Sequence, residues 1–292
     1  MRRVFRVREW RLEEEGSGLR LTVKCNRHPS DTTLCQVITS CFPGTAAVAA
    51  ETGLDHFAGM TFTLTNEGDV LLSGACPADD ELGEVLDLLT EILTVCDDAD
   101  VSHCLDLYRV PLEGLEQDDW PHTETGDLLY RAKYRGDIAA ARELADRLVS
   151  TVARHPALRR ANAIVAMPAS TGSRHFDVPR LCRSLIATQT GFQEVDLGRA
   201  RAVLEQKAIE SRQERARNQQ NSMDCSANLS GMSVLVIDDL YMEGDTVAEA
   251  VRALRARGAS EVFALCAAKT AKGTQGGVED LLPDYEEGDD VW

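Results

Sequence analysis

The chain reads as an α/β protein, a doubly wound and mainly parallel sheet joined to an N-terminal α+β module. Three observations predict this. After residue 127, short continuous apolar runs (IVAM, VLVI, VFALCAA) alternate with amphipathic helical stretches, as buried parallel strands do. Before residue 110, strand-like runs alternate apolar and polar residues around tight turns, as antiparallel hairpins do. The length of 292 residues is comfortable for two cores.

In chain order, VFRVREWRL and GLRLTVKC flank the turn EEEGSG and form a first hairpin. MTFTLT and DVLLSGA around Asn66-Glu67-Gly68 form a second. ADDELGEVLDLLTEILTVC then sets Leu82, Val85, Leu86, Leu89, Ile92 and Leu93 on one helical stripe with acids in its first turn. VSHCLDLYRV fits one more strand. The stretch PLEGLEQDDWPHTETG, 111–126, interrupts the pattern with Pro, Gly and acids. The expected division is therefore an N-terminal domain at 1–118 with no assigned role, and a second domain at 119–292.

In the second part, DIAAARELADRLVSTVARH is an amphipathic helix carrying Ala141, Leu144, Ala145, Leu148 and Val152 at helical spacing. ANAIVAMPAS is a strand ending at Pro168, and SVLVIDDL is a strand closing on two carboxylates. TVAEAVRALRARGAS is a helix with Gly258 as its C-cap, and EVFALCAAKT is the last buried strand. Ligands of such sheets bind at the carboxyl ends of the strands.

Charge is unevenly spread. The net charge is −17, yet residues 119–278 hold 22 basic and 19 acidic side chains, the one block whose balance suits a small polyanion. The tail EDLLPDYEEGDDVW, 279–292, is acidic throughout. So acidic a chain is a poor candidate for coating nucleic acid. No apolar run approaches the ~18 residues of a membrane span. The opening residues carry charges with no apolar stretch behind them, and nine scattered cysteines read as reduced thiols, so a cytoplasmic protein is expected.

The chemistry concentrates in VLVIDDLYMEGDTVAEAVRALRARGASEVF, 234–263. A buried strand brings Asp238 and Asp239 to the sheet edge; Leu240 to Asp245 turn the chain; Thr246 opens a helix. Gly244 allows close backbone approach. Loop amides, the helix N-terminus and the Thr246 hydroxyl make an anion site. Two carboxylates beside it suit a sugar phosphate, accepting hydrogen bonds from ribose hydroxyls while amides donate to the phosphate.

Four apolar residues, two acids, four variable residues and Gly-x-Thr resemble the 5-phosphoribosyl 1-diphosphate (PRPP) signature of type I phosphoribosyltransferases. GDLLYRAKYRGDIAAARELADRL, IVAMPAS, SRHFD and ESRQERARN resemble, in order and spacing, the blocks of the competence protein F (ComF-type) branch, over about residues 126–270. The resemblance implies a Mg²⁺-dependent glycosyl transfer, or a non-catalytic PRPP-sensing or protein-interaction relative linked to DNA uptake or repair. It implies that Asp238 and Asp239 hold the ribose hydroxyls, and that Met242, Glu243, Gly244, Asp245 and Thr246 hold the 5′-phosphate. Ser170 would approach the diphosphate, with Arg174, Lys207 and Arg215 as its cationic partners; Asp238, Asp239, Lys207 and Arg215 form the catalytic set. The Mg²⁺ would arrive on the ligand's own oxygens, so no protein metal cage is implied. The nitrogen acceptor is unidentified.

The pattern departs from the family at Glu243, where a carboxylate facing a phosphate costs several kcal/mol at short range, and at His175, where the family has Gly. Cys25, His28, Cys35 and Cys41 have ligand types for zinc but not paired spacing, and packed thiols are the preferred reading. Cys182 and Cys266 sit on apolar faces. Arg199, Arg201, Lys207, Arg212, Arg215 and Arg217 could also meet a nucleic-acid backbone, but no aromatic residue interleaves them for base stacking. The N-terminal part is the expected surface for a protein partner or a second copy.

Overall fold

The computed structural model describes residues 3–15, 18–25, 61–64, 70–76, 82–112, 114–169, 175–202 and 212–271. Two hairpins open the chain as expected. β2 (Val7–Glu15) pairs antiparallel with β3 (Gly18–Cys25), and β4 (Thr61–Leu64) with β5 (Val70–Cys76). Together they make one four-stranded sheet, ordered β2-β3-β5-β4. Leu21, Val23 and Cys25 alternate into its buried face, so Cys25 packs as a core thiol. His28, Cys35 and Cys41 lie outside the described residues, as does the acidic tail.

α1 (Leu82–Glu91) is shorter than its apolar stripe predicts. Leu93–Cys96 forms strand β6, and only Ile92 remains as the turn. The reason is local and tertiary together. Thr94 and Val95 are β-branched, and Val95 faces Val4 of β1 (Arg3–Phe5) while Thr94 faces His103 of β7 (Val101–Leu107).

The main sheet has seven strands, ordered β1-β6-β7-β13-β12-β8-β9. Its later members are β8 (Ala163–Ala166), β9 (Gln193–Glu194), β12 (Ser233–Tyr241) and β13 (Glu261–Lys269). Every pair from β7 to β9 is parallel, and the β1 and β6 side is antiparallel. Hydrogen bonding of this one sheet therefore runs across the expected 118/119 division: β1, β6 and β7 come from the first segment, and four strands from the second. A two-stranded ribbon, β10 (Leu197–Arg199) with β11 (Met223–Cys225), stands beside it.

Both faces are covered. Leu235, Ile237, Phe263 and Leu265 point to one side, where they share a core with α1, α2 (Glu124–Arg135), α3 (Ile138–Arg154) and α5 (Val178–Thr190). The short α4 (Pro156–Arg159) follows α3 on that side. Val234, Val236, Val262 and Ala264 point to the other, against Val247, Ala250, Val251 and Leu254 of α7 (Asp245–Arg255). A continuously apolar strand is what burial on two faces requires. α6 (Arg212–Gln219) completes the α-helices among the described residues. Cys182 and Cys266 are fully buried.

α2 matters for the site. Thr123 caps its start, accepting from Gly126 N at 2.9 Å, and Gly136 ends it at φ 65°. A side chain at Gly126 would collide with the Tyr108 carbonyl, a Cβ there lying 1.9 Å from that oxygen. This close approach sets the helix against the carboxyl end of β7.

Candidate functional site: the carboxyl edge of β12

β12 runs further than the sequence predicts. Beyond Asp238 and Asp239, Leu240 and Tyr241 still pair with Ala268 and Lys269 of β13. Residues 242–244 then form the turn, and α7 starts at Asp245 rather than Thr246. Tyr241 explains the extension: its ring is buried, its carbonyl accepts from Thr270 N, and its hydroxyl donates to Asp97 Oδ2 at 2.9 Å. Gly244 is the N-cap at φ 81°, a left-handed conformation open to glycine at little cost, and no side chain caps the helix there.

A pocket of about 60 Å³ opens at this corner, lined by Asp238, Leu240 and residues 241–247. Met242, Glu243, Gly244, Asp245 and Thr246 are thus gathered around one depression with Asp238. Glu243 is half-buried in its wall. Lys269, only 2% exposed, lies close enough for the Glu243 charge to favour its ammonium. Burial pushes the Lys269 ammonium down to about 8. The carboxylate at 243 therefore has a cation within its field.

The two acids differ in surroundings. Asp238 Oδ1 accepts the Asp239 amide at 2.8 Å. Burial, and then the charge of Asp239, push the Asp238 carboxyl up to about 7; Lys133 and Arg199 pull the other way. Asp239 is held by Lys133, Nζ to Oδ2 2.7 Å, with 21% and 14% of the two side chains exposed. Burial alone would lower the Lys133 ammonium, but Asp239, joined by Tyr134 and Asp238, outweighs it and the net shift is upward.

Arg199 is a further cation of the site, acting on Asp238. It donates to the carbonyls of Pro168 (2.9 Å) and Ala169 (3.3 Å), and to Gln219 Oε1 and Ser222 Oγ. Burial lowers its guanidinium against the opposing pull of Asp238. It fixes the end of the strand-to-loop segment that the sequence marks as Pro-x-Ser. Ser170, Arg174 and Lys207 lie outside the described residues, and Arg215 falls on α6 with its side chain likewise undescribed. Arg201 spends its guanidinium on the carbonyls of Arg217, Asn218 and Gln220, closing the end of α6. Arg199 and Arg201 thus both work inside the fold. The sequence alone assigns Lys133 no role and places Arg199 merely in a basic cluster; the signal for the first is Lys133-Tyr134 within the resembling stretch GDLLYRAKYRGDIAAARELADRL.

Two adjacent carboxylates can accept ribose hydroxyls but do not make a cage for a cation. Among the described residues no group of three or more His, Cys, Asp or Glu could hold a metal ion. The carboxylate oxygens of Asp238 and Asp239 are hard donors of the type that Mg²⁺ takes. No described helix is long and apolar enough to cross a membrane.

No family model matches the chain, and no curated protein matches it. Several solved structures are similar over part of it. A purine phosphoribosyltransferase from Pyrococcus horikoshii is 15% identical, with TM-score 0.31, covering 49% of this chain and 80% of that one. An adenine phosphoribosyltransferase from Leishmania tarentolae is 13% identical, with TM-score 0.36, covering 58% and 91%. A phosphoribosylpyrophosphate synthetase from Mycobacterium smegmatis is 19% identical, with TM-score 0.28, covering 43% of this chain and 33% of the synthetase.

Proposed function

We propose that this protein binds PRPP at the carboxyl edge of β12 and transfers its phosphoribosyl group to a nitrogen acceptor, releasing diphosphate. One observation carries the reading: two carboxylates stand near the carboxyl end of a central strand, one short turn before a helix whose N-cap is a left-handed glycine. The helix start and turn amides bind the 5′-phosphate, with the Thr246 hydroxyl beside them. Asp238 and Asp239 accept from the ribose hydroxyls. Arg199 holds the Pro168–Ala169 turn toward the diphosphate side, where the resemblance also assigns Ser170, Arg174, Lys207 and Arg215. Mg²⁺, carried on the ligand, would offset diphosphate charge. The protein's own contribution is orientation of the acceptor and stabilisation of the departing diphosphate. Diphosphate release tests this: Asp239→Asn and Thr246→Val should abolish it with the fold intact.

A second reading is a PRPP-binding module without turnover, of the ComF type, working in the cytoplasm through a protein partner or second copy held by residues 1–118. The Lys133 ion pair on Asp239 and the carboxylate of Glu243 in the pocket wall favour it. PRPP binding with no diphosphate produced, whatever nitrogen acceptor is offered, selects this reading.

A further inference from the structure

The ion pair between Lys133 and Asp239 joins two elements far apart in sequence at the point where a pentose is proposed to sit. Lys133 belongs to the last turn of α2, whose backbone is fixed twice. Gly136 caps the helix, and the Lys133 carbonyl accepts from Phe176 N at 3.2 Å. Only its four-carbon stem is left to move. The ammonium also has a second favourable place nearby, the Tyr134 ring, whose centroid is 6.0 Å away and whose side chain is 41% exposed.

We propose that Lys133 is an exchangeable counter-ion: its ammonium occupies on Asp239 the place that a pentose hydroxyl takes, and the ligand enters by displacing it. This rests on the ribose reading of the acid pair given above. An ion pair of this burial adds little net stability, so its retention between two site residues points to control of the site. The groups facing the two acids come from several elements: Lys133 of α2 and Cys182 of α5 at Asp239, Lys133, Arg199 of β10 and Cys266 of β13 at Asp238, with Tyr134 beside the lysine. Arg199 is engaged by the Pro168 and Ala169 carbonyls, so Lys133 is the cation of this set that can leave. Lys133 is a positioning residue. It neutralises Asp239 while the site is empty and yields it when the pentose arrives.

The test reads a sign. Ribose 5-phosphate is the probe, titrated by calorimetry at pH 9 and 150 mM salt into wild type, Lys133→Met and Lys133→Arg. At this pH Asp238 is ionised, and salt screens the long-range attraction of a lysine for the phosphate. Removing the competitor should tighten binding in Lys133→Met, by roughly tenfold if the exchange is worth one pK unit. Lys133→Arg keeps a counter-ion and should bind no more tightly than wild type. A lysine that touched the ligand, or that only supported the fold, would give weaker binding in Lys133→Met, and that result overturns the inference. A second readout needs no ligand. Carbon-13 NMR of the Asp238 carboxyl should show its titration midpoint moving upward in Lys133→Met and staying near the wild-type position in Lys133→Arg. An unchanged midpoint in Lys133→Met overturns the inference whatever the calorimetry gives. Wild type that fails to bind ribose 5-phosphate defeats the proposed function and the exchange together; wild type that binds beside a weakened Lys133→Met defeats the exchange alone.

Discussion

Tyr241 donates its hydroxyl hydrogen to Asp97 Oδ2 at 2.9 Å, across 144 residues of sequence, and so ties the base of the pocket to the turn between β6 and β7. The same carboxylate accepts from Ser102 Oγ on Oδ2 and from the Ala99 amide on Oδ1. The N-terminal segment thus helps to hold the last residue of β12 before the pocket turn. Tyr241→Phe keeps the buried ring and deletes one hydrogen bond, at a cost of about 1–2 kcal/mol. Urea unfolding should register that loss, and PRPP affinity should fall with it because the 242–244 turn loses an anchor.

Gly244 offers a second test of the same turn. At φ 81° a Cβ is strained, and Gly244→Ala should cost about 1 kcal/mol of stability. The larger effect should be on ligand: phosphate binding at the helix start should weaken well beyond what the stability loss explains. Equal small effects on both would mean the turn does not hold the phosphate.

Asp238 is a group the fold keeps at its own expense. Its carboxyl titrates near 7 in the folded protein, against an ordinary value of 3.8. Between those values the native state binds more protons than the unfolded state, so stability falls as pH rises from about 4 to about 7. Asp238→Asn preserves the acceptor oxygen for the Asp239 amide and removes the charge. It should raise stability at pH 8 by about 1–3 kcal/mol while abolishing PRPP binding, a trade expected of a binding residue. Chemical denaturation at pH 8 beside calorimetry checks both halves.

His103 and His155 supply a pH response of the opposite sign. Both are buried, with Nε2 atoms 3.0 Å apart. His155 Nδ1 accepts the Leu158 amide, so its Nε2 carries the hydrogen and donates to His103 Nε2; His103 Nδ1 then donates to Thr94 Oγ1. Every proton of this chain is assigned with both rings neutral. Burial lowers His103 to about 4, and burial with the neighbouring ring lowers His155 well below its usual value. Below pH 6.5 the unfolded chain takes up protons that the native state refuses, so stability should fall as pH drops from 6.5 toward 4. At pH 5 the loss attributable to His103 should be roughly 2 kcal/mol. Asp238 acts in the opposite direction over this range, so the measurement belongs in Asp238→Asn, where a flat profile would refute the neutral pair.

What could be read from the sequence was local. The apolar run of β12, the two acids, the glycine and the helix after it lie within 22 consecutive residues, and hairpin and helix periodicities need only neighbouring positions. The acids' counter-ions could not be read that way. Lys133 and Asp239 are joined by the packing of α2 on the sheet, and Arg199 meets Pro168 through the ribbon of β10 and β11. The same limit explains α1, whose stripe continues through Ile92 and Leu93 although pairing with β1 and β7 draws Leu93–Cys96 into a strand. It explains the sheet as well, because no local signal announces that β1, β6 and β7 add to the strands of the second segment.

The central claim is that the edge of β12 holds a phosphorylated pentose between two acids and a helix start. Calorimetry of PRPP with and without Mg²⁺, run on wild type and Asp239→Asn, tests it most directly. Saturable binding by wild type, lost in an Asp239→Asn protein that melts no lower, is the expected result. Wild type that takes up no PRPP, or an Asp239→Asn protein that binds it as well, would contradict the claim.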